Sequence, residues 1–185
     1  MSKGLSGHFH GTLGTSINNG EISTSYSDRK IEIPEQIKDY LSKLPRAGMY
    51  ISGKKGSFPI KDVSIMSKET GVEFARVTIG SEEILIRGTK NGAVIPDKIL
   101  NEMIKHKGTF DFHTHPFDND NSPSRDDYDA MTAIYNATGQ KTSQIATPNG
   151  KITTYSRHGV IEVGTVSNII DDDMKDIYTK LFGGN

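Results

Sequence analysis

The segment VEFARVTIGSEEILIRG (72–88) constrains the fold most. Two runs rich in β-branched and aromatic residues flank Gly80-Ser81, which predicts a tight antiparallel hairpin. The next segment, PDKILNEMIKHKG (96–108), changes period: Pro96 lies at its start, Ile99, Leu100, Met103 and Ile104 fall on one helical face, and Gly108 is placed at its end. A strand, TFDFHTH (109–115), follows. A hairpin, a helix and a further strand in that order predict a mixed sheet with helices packed against it.

The remaining segments fit the same scheme. IPEQIKDYLSKL (33–44) reads as a helix opened by Pro34, and GMYISG (48–53) as a short strand. FPIKDVSIMSK (58–68) alternates weakly and is read as another strand. SRDDYDAMTAIYNATG (124–139) predicts a helix with Ser124 as N-cap, Asp127 completing a capping box and Gly139 closing it. SQIATPNGKITTYSRHGVIEVG (143–164) predicts two or three strands around the Asn149-Gly150 turn. DDDMKDIYTKLF (171–182) reads as a last helix with acids first and Lys180 near its end, matching the macrodipole. Residues 1–30 are rich in Gly, Ser, Thr and Asn and are read as a flexible leader, so the expected organisation is leader 1–30 and one α/β (α+β) domain over 31–185, with a mixed, mostly antiparallel sheet.

Composition excludes several classes. The chain has 22 basic and 23 acidic residues and no basic patch, so no nucleic-acid partner is expected. It has no cysteine, which removes thiol nucleophiles and thiolate metal sites. No apolar run approaches the 18 or so residues of a membrane span, and the first residues lack the apolar core of a signal peptide. The expectation is a cytoplasmic protein, or a piece of a larger secreted effector whose address lies elsewhere, with no membrane partner.

The chemistry is concentrated in FHTHPFDNDNSPSRDD (112–127). On a strand, His113 and His115 point the same way and Thr114 the other. Pro116 ends the strand, and Asp127, in the first turn of the next helix, is a candidate third, oxygen ligand. Two histidines, one carboxylate and a fourth position left for water form a catalytic zinc pattern, in which a bound water is acidified to about pH 7. Such a site also needs a general base and a group for the oxyanion. A His-x-His on a strand and a Ser-x-x-Asp cap each arise by chance. Their combination at this spacing favours the metal site, with zinc preferred although iron or manganese accept the same ligands.

His113-Thr114-His115-Pro116, a spacer of seven residues and Ser124-Arg125-Asp126-Asp127 resemble the JAMM, or MPN+, motif of zinc metallopeptidases, and "PSRDD" is similar to the matching segment of RadC-like bacterial members. The spacer is about one residue longer than the family's common form, so the loop is expected to bulge. The resemblance implies a JAB/MPN-like (cytidine-deaminase-like) fold and one zinc ion per chain. It implies zinc ligands at His113, His115 and Asp127, and at Ser124 the serine that helps hold the oxyanion. It further implies a glutamate base on an earlier strand, assigned to Glu73, with Glu69, Glu82 and Glu83 as competitors. The Glu82-Glu83 pair falls near the hairpin turn, where exposed charge is normal, and Glu69 reads as turn. The implied activity is hydrolysis of peptide or isopeptide bonds in a protein or peptide substrate, ubiquitin-like modifiers among them.

Three other readings compete. An MPN-like module without activity would serve binding or scaffolding. Asp-x-His-x-His also opens amidohydrolase and PHP-type sites, but these need histidines far downstream, and here only His158 follows within the last 70 residues. The leader GLSGHFHGTLGTS is similar to the junction before C-terminal domains of bacterial polymorphic toxins, which would bring a cognate immunity protein as partner; a housekeeping peptidase explains the same domain. His8 and His10 are read as linker, His106 as a helix C-terminal surface residue and His158 as a turn residue.

Overall fold

In the computed structural model the described residues are 33–165, together with the backbone of two earlier strands. The chain divides into two units, residues 1–34 with 171–185 and residues 35–170. In the first, β1 (Leu13–Asn18) pairs antiparallel with β2 (Glu21–Tyr26), from Leu13 opposite Tyr26 to Asn18 opposite Glu21. This hairpin falls inside the segment read as a flexible leader. Its strands, LGTSIN and EISTSY, hold five Ser and Thr among twelve residues, and only Leu13, Ile17, Ile22 and Tyr26 keep the even spacing, so the apolar alternation is sparse. Their signal is the Asn19-Gly20 between them, the pair that two-residue hairpin loops favour. His8, His10 and the helix expected over 171–182 lie outside the described residues.

The second unit runs α1 (Glu35–Lys43), β3 (Tyr50–Lys54), α2 (Ile60–Thr70), β4 (Phe74–Ile79), β5 (Glu82–Arg87), α3 (Asp97–His106), β6 (Thr109–Thr114), α4 (Arg125–Thr138), β7 (Ser143–Ala146), β8 (Lys151–Ser156) and β9 (Gly159–Thr165). The seven strands form one sheet in the order β3-β5-β4-β6-β7-β8-β9. Every pairing is antiparallel except β6 with β7, which are joined through α4. Helices cover both faces. Ile99 and Met103 of α3 and Met131 and Ile134 of α4 pack on Ala75, Val77, Ile84, Ile86, Phe110, Ile145 and Tyr155. On the other face, Ile60 of α2 packs on Ala146 and Ile152, and Tyr40 of α1 meets the buried ring of Phe58 edge-on. No helix among the described residues is long and apolar enough to cross a membrane.

The strand expected over 58–68 is instead α2. Its buried residues, Val63, Ser64, Met66 and Ser67, recur at three- and four-residue spacing. The weak alternation was one side of a helical face interrupted by serines whose hydroxyls return to backbone: Ser64 Oγ to Ile60 O and Ser67 Oγ to Val72 O. Pro59 opens the helix, and Gly71, at φ 65°, closes it. The end of α3 also differs from expectation. Lys107, not Gly108, takes the left-handed position, at φ 50°. Gly108 is required for another reason: a Cβ there would meet the carbonyl oxygen of Thr78 at 2.8 Å.

Candidate metal centre

β6 carries the first histidine, and a bulge aims it. Ala75 opposes His113 and Arg76 opposes Phe112, but Val77 opposes Phe110, so β6 has one residue more than β4 here. Phe110 and His113, three apart, therefore share the α3/α4 face and stack with ring centroids 5.8 Å apart. Asp111 and Phe112 turn to the opposite face, where Arg76 Nε donates to Asp111 Oδ2 at 3.0 Å and the guanidinium lies 4.6 Å from the Phe112 ring centre. Beyond the bulge alternation resumes as expected. Thr114 points away, and its hydroxyl accepts the N–H of Phe74.

His115 lies one residue past the strand, its N–H still bonded to Ala146 O at 3.0 Å. After Pro116 the chain loops over the site. Asn149 Nδ2 donates to Asp118 O, and His115 Nδ1 lies 2.7 Å from Asp120 O. A carbonyl only accepts, so Nδ1 carries the proton and Nε2 keeps its lone pair. Ser124 then caps α4, and the capping box is complete: Asp127 N–H donates to Ser124 Oγ, and Ser124 N–H to Asp127 Oδ2. The cap rotates the Asp127 carboxylate toward the strand.

The side chains converge. His113 Nε2 and His115 Nε2 are 3.2 Å apart. Asp127 Oδ1 lies 3.0 Å from His113 Nε2, and its Oδ2 3.7 Å from His115 Nε2. Glu73 precedes β4 and is buried, its backbone bonded to Thr89 O and Gly88 N. Its carboxylate and the two imidazoles place one ligand atom each within 4.8 Å of one another, a group able to hold a metal ion.

Of the glutamates weighed, only Glu73 joins this group among the described residues. Glu69 is in the last turn of α2 and Glu82 is exposed on β5. Glu83 corrects the expectation of exposed charge at the hairpin. It is buried, accepts the Phe58 N–H at 3.1 Å and lies 3.5 Å from Arg76 Nη1. Ser124 is exposed, and its hydroxyl donates to Asp127 Oδ2 at 2.8 Å, so it meets the histidines only through Asp127. His106 is exposed beside Glu102, and His158 accepts from Arg157 Nε in the β8–β9 turn; neither joins the centre.

The electrostatics are those of a site short of positive charge. Burial, then the charges of Asp127 and Asp120, push the Glu73 carboxyl up to about 8. Burial alone would raise Asp127 as well, but its hydrogen bond and charge pairing with His113 and its two bonds from Ser124 prevail and hold it at about 2. His113 Nδ1 is buried without a hydrogen-bond partner. Two imidazole nitrogens and two carboxylates facing one point suit a divalent cation with nitrogen and oxygen preference. Asp120, which acts through its backbone oxygen, and the aromatic walls Phe110 and Tyr155 were not anticipated. A carbonyl leaves no side-chain signal; Phe110 came within reach of His113 only through the bulge, and Tyr155 through the pairing of β6 with β7 and β7 with β8.

No protein-family model, curated protein or solved structure matches this chain.

Proposed function

We propose that the protein is a zinc-dependent hydrolase of peptide or isopeptide bonds with a JAMM-type site on a JAB/MPN-like fold. The observation that carries this reading is the buried group of Glu73, His113 and His115, with Asp127 Oδ1 3.0 Å from His113 Nε2 and its Oδ2 3.7 Å from His115 Nε2. His113 and His115, through Nε2, and Asp127 would hold the ion. When bound, zinc supplies a Lewis acid that polarises the scissile carbonyl and acidifies a water.

The chain's own groups do the rest. Glu73, buried within ligand distance of the two imidazoles, is the group placed to take the proton of an attacking water and return it to the leaving nitrogen, and a bound cation would favour the carboxylate form that this needs. Asp120 O fixes the His115 tautomer. Ser124 serves the oxyanion only if its O–H turns from Asp127 Oδ2, after which Asp127 N–H still keeps it as the cap. The substrate class is a protein or peptide, a ubiquitin-like modifier included. Delivery as an effector with an immunity partner is a proposal on the leader's composition.

Glu73 also stands as a ligand in place of Asp127, because it groups with the two histidines. Zinc content per chain, measured by elemental analysis, separates the roles. Wild type and Glu73→Gln are expected to hold about one zinc, with hydrolysis of an amide substrate lost in Glu73→Gln, while His113→Ala and Asp127→Ala hold none. Zinc lost in Glu73→Gln but kept in Asp127→Ala exchanges the two assignments. Wild type that takes up no metal when zinc is supplied ends the hydrolase reading and leaves a binding module.

A further inference from the structure

Three buried polar atoms near the centre have no hydrogen-bond partner: His113 Nδ1, the Tyr155 phenol oxygen and Thr153 Oγ1. The pairing puts them on one face of the sheet, since His113 opposes Ile145, Ile145 opposes Thr153, and Tyr155 opposes Ser143. Tyr155 is fully buried, and its ring stands edge-on to His113 with centroids 6.1 Å apart. Phe110 closes the opposite side of the imidazole, and Tyr128 meets Tyr155 edge-on. Ser143 Oγ already donates to Phe110 O, and its lone pairs face the Tyr155 phenol, close enough to influence it although no bond of normal geometry forms.

Each unpartnered atom has a matching need. For Nε2 of His113 to carry a lone pair toward a cation, Nδ1 must hold the proton, and a buried N–H requires an acceptor. A phenol oxygen accepts one bond while its own proton goes elsewhere. The two atoms are not bonded to each other, and one bridging water would satisfy both. We propose that Tyr155 is the positioning residue of His113: its phenol oxygen receives the Nδ1–H through a water shared with Thr153 and selects the tautomer that leaves Nε2 free. The role is the counterpart of Asp120 O at His115. It rests on the reading of His113 as a metal ligand.

The test uses the full chain and two readouts besides activity. Tyr155→Phe keeps the ring and removes one oxygen. In the metal-free protein, imidazole nitrogen NMR signals report the His113 tautomer, which Asp127 Oδ1, 3.0 Å from Nε2, biases toward Nε2–H and Tyr155 toward Nδ1–H. Zinc affinity follows from competition with a chromophoric chelator. In Tyr155→Phe the His113 population is expected to move toward the Nε2–H tautomer and zinc affinity to fall roughly 10–100-fold, the range for loss of an outer-sphere partner. An unchanged tautomer overturns the proposal, whether or not affinity falls. A lower melting temperature with tautomer and affinity unchanged assigns Tyr155 to the core alone and also overturns it. If wild type binds no zinc, the metal reading fails, and the tautomer comparison still decides the role of Tyr155.

Discussion

The two faces of the sheet both bury charge, and they handle it differently. On the α1/α2 face, Arg76 is shared between Asp111 at 3.0 Å, Glu83 at 3.5 Å and the carbonyl of Phe58 at 2.9 Å. Thr78 and Thr109 donate to Asp111, and Phe58 N–H donates to Glu83. Each charged group of this cluster has a partner. On the α3/α4 face, two carboxylates and two imidazoles meet with no fixed cation, one carboxyl is forced toward its neutral form, and an imidazole nitrogen is left alone. Such a deficit is a common mark of a site where something supplies the missing charge or the chemistry needs it. The comparison separates a structural polar cluster from a working one, although both sit against the same bulge.

Breaking the satisfied face should have the largest effect on folding. Arg76→Met leaves the buried Glu83 and the half-buried Asp111 without their cation and is expected to destabilise the protein by about 3 kcal/mol, the low end for breaking a buried pair, read by urea unfolding. Adding Asp111→Asn and Glu83→Gln should recover part of that loss. If the single variant is as stable as wild type, the cluster is solvated and the contrast between the faces collapses.

The unsatisfied face should respond in the opposite sense. The folded Glu73 carboxyl titrates at about 8, above its ordinary value of 4.5. Protonated Glu73 is therefore favoured by folding. Its stabilisation is full below about pH 4.5 and is lost progressively as pH rises to about 8, at up to roughly 1.4 kcal/mol per pH unit. Metal-free wild type should lose stability over that window, metal-free Glu73→Gln should lose less, and the variant should be the more stable of the two at pH 8. Unfolding curves at several pH values, with chelator present, check this. Parallel pH profiles would remove the charge deficit from the account.

The difference between the faces also explains what could be read in the sequence. His113 and His115 were legible because period-two alternation holds locally, and Asp127 because a capping box has a fixed spacing. Glu73 was legible as a strand start and is brought to the histidines because β4 runs antiparallel to β6. The satisfied cluster was not legible. Arg76, Glu83 and Asp111 look like surface charges on amphipathic strands, and only the approach of Phe58, ahead of α2, joins them into a partly buried cluster. α2 itself was misread because serines fill two of its buried positions. The bulge at Asp111 leaves no compositional mark, yet it decides that Phe110 rather than Asp111 stands beside His113.

Ser124 offers a smaller and sharper probe, because it belongs to both the cap and the centre. Ser124→Ala removes the oxygen that accepts Asp127 N–H and the hydroxyl that donates to Asp127 Oδ2. Stability should fall by about 1 kcal/mol, the usual worth of a helix N-cap. If the hydroxyl also serves the oxyanion, kcat should fall about 10²–10³-fold. Ser124→Thr should restore both. A stability loss without a rate loss confines Ser124 to the cap.

The smallest effect is expected at Asp120, and its smallness is informative. His115 Nδ1 is 2.7 Å from the backbone oxygen of Asp120 and 3.5 Å from its carboxylate. The near partner survives any substitution, and the far one lies on an exposed side chain. Asp120→Ala should therefore leave zinc affinity within a few-fold of wild type, whereas loss of a true outer-sphere partner costs roughly 10–100-fold. An Asp120→Ala protein that binds zinc as weakly as that range would show the carboxylate, not the carbonyl, to be the anchor. The two histidines would then both depend on side chains, and His115 would have no backbone-fixed tautomer to set against the packed imidazole of His113.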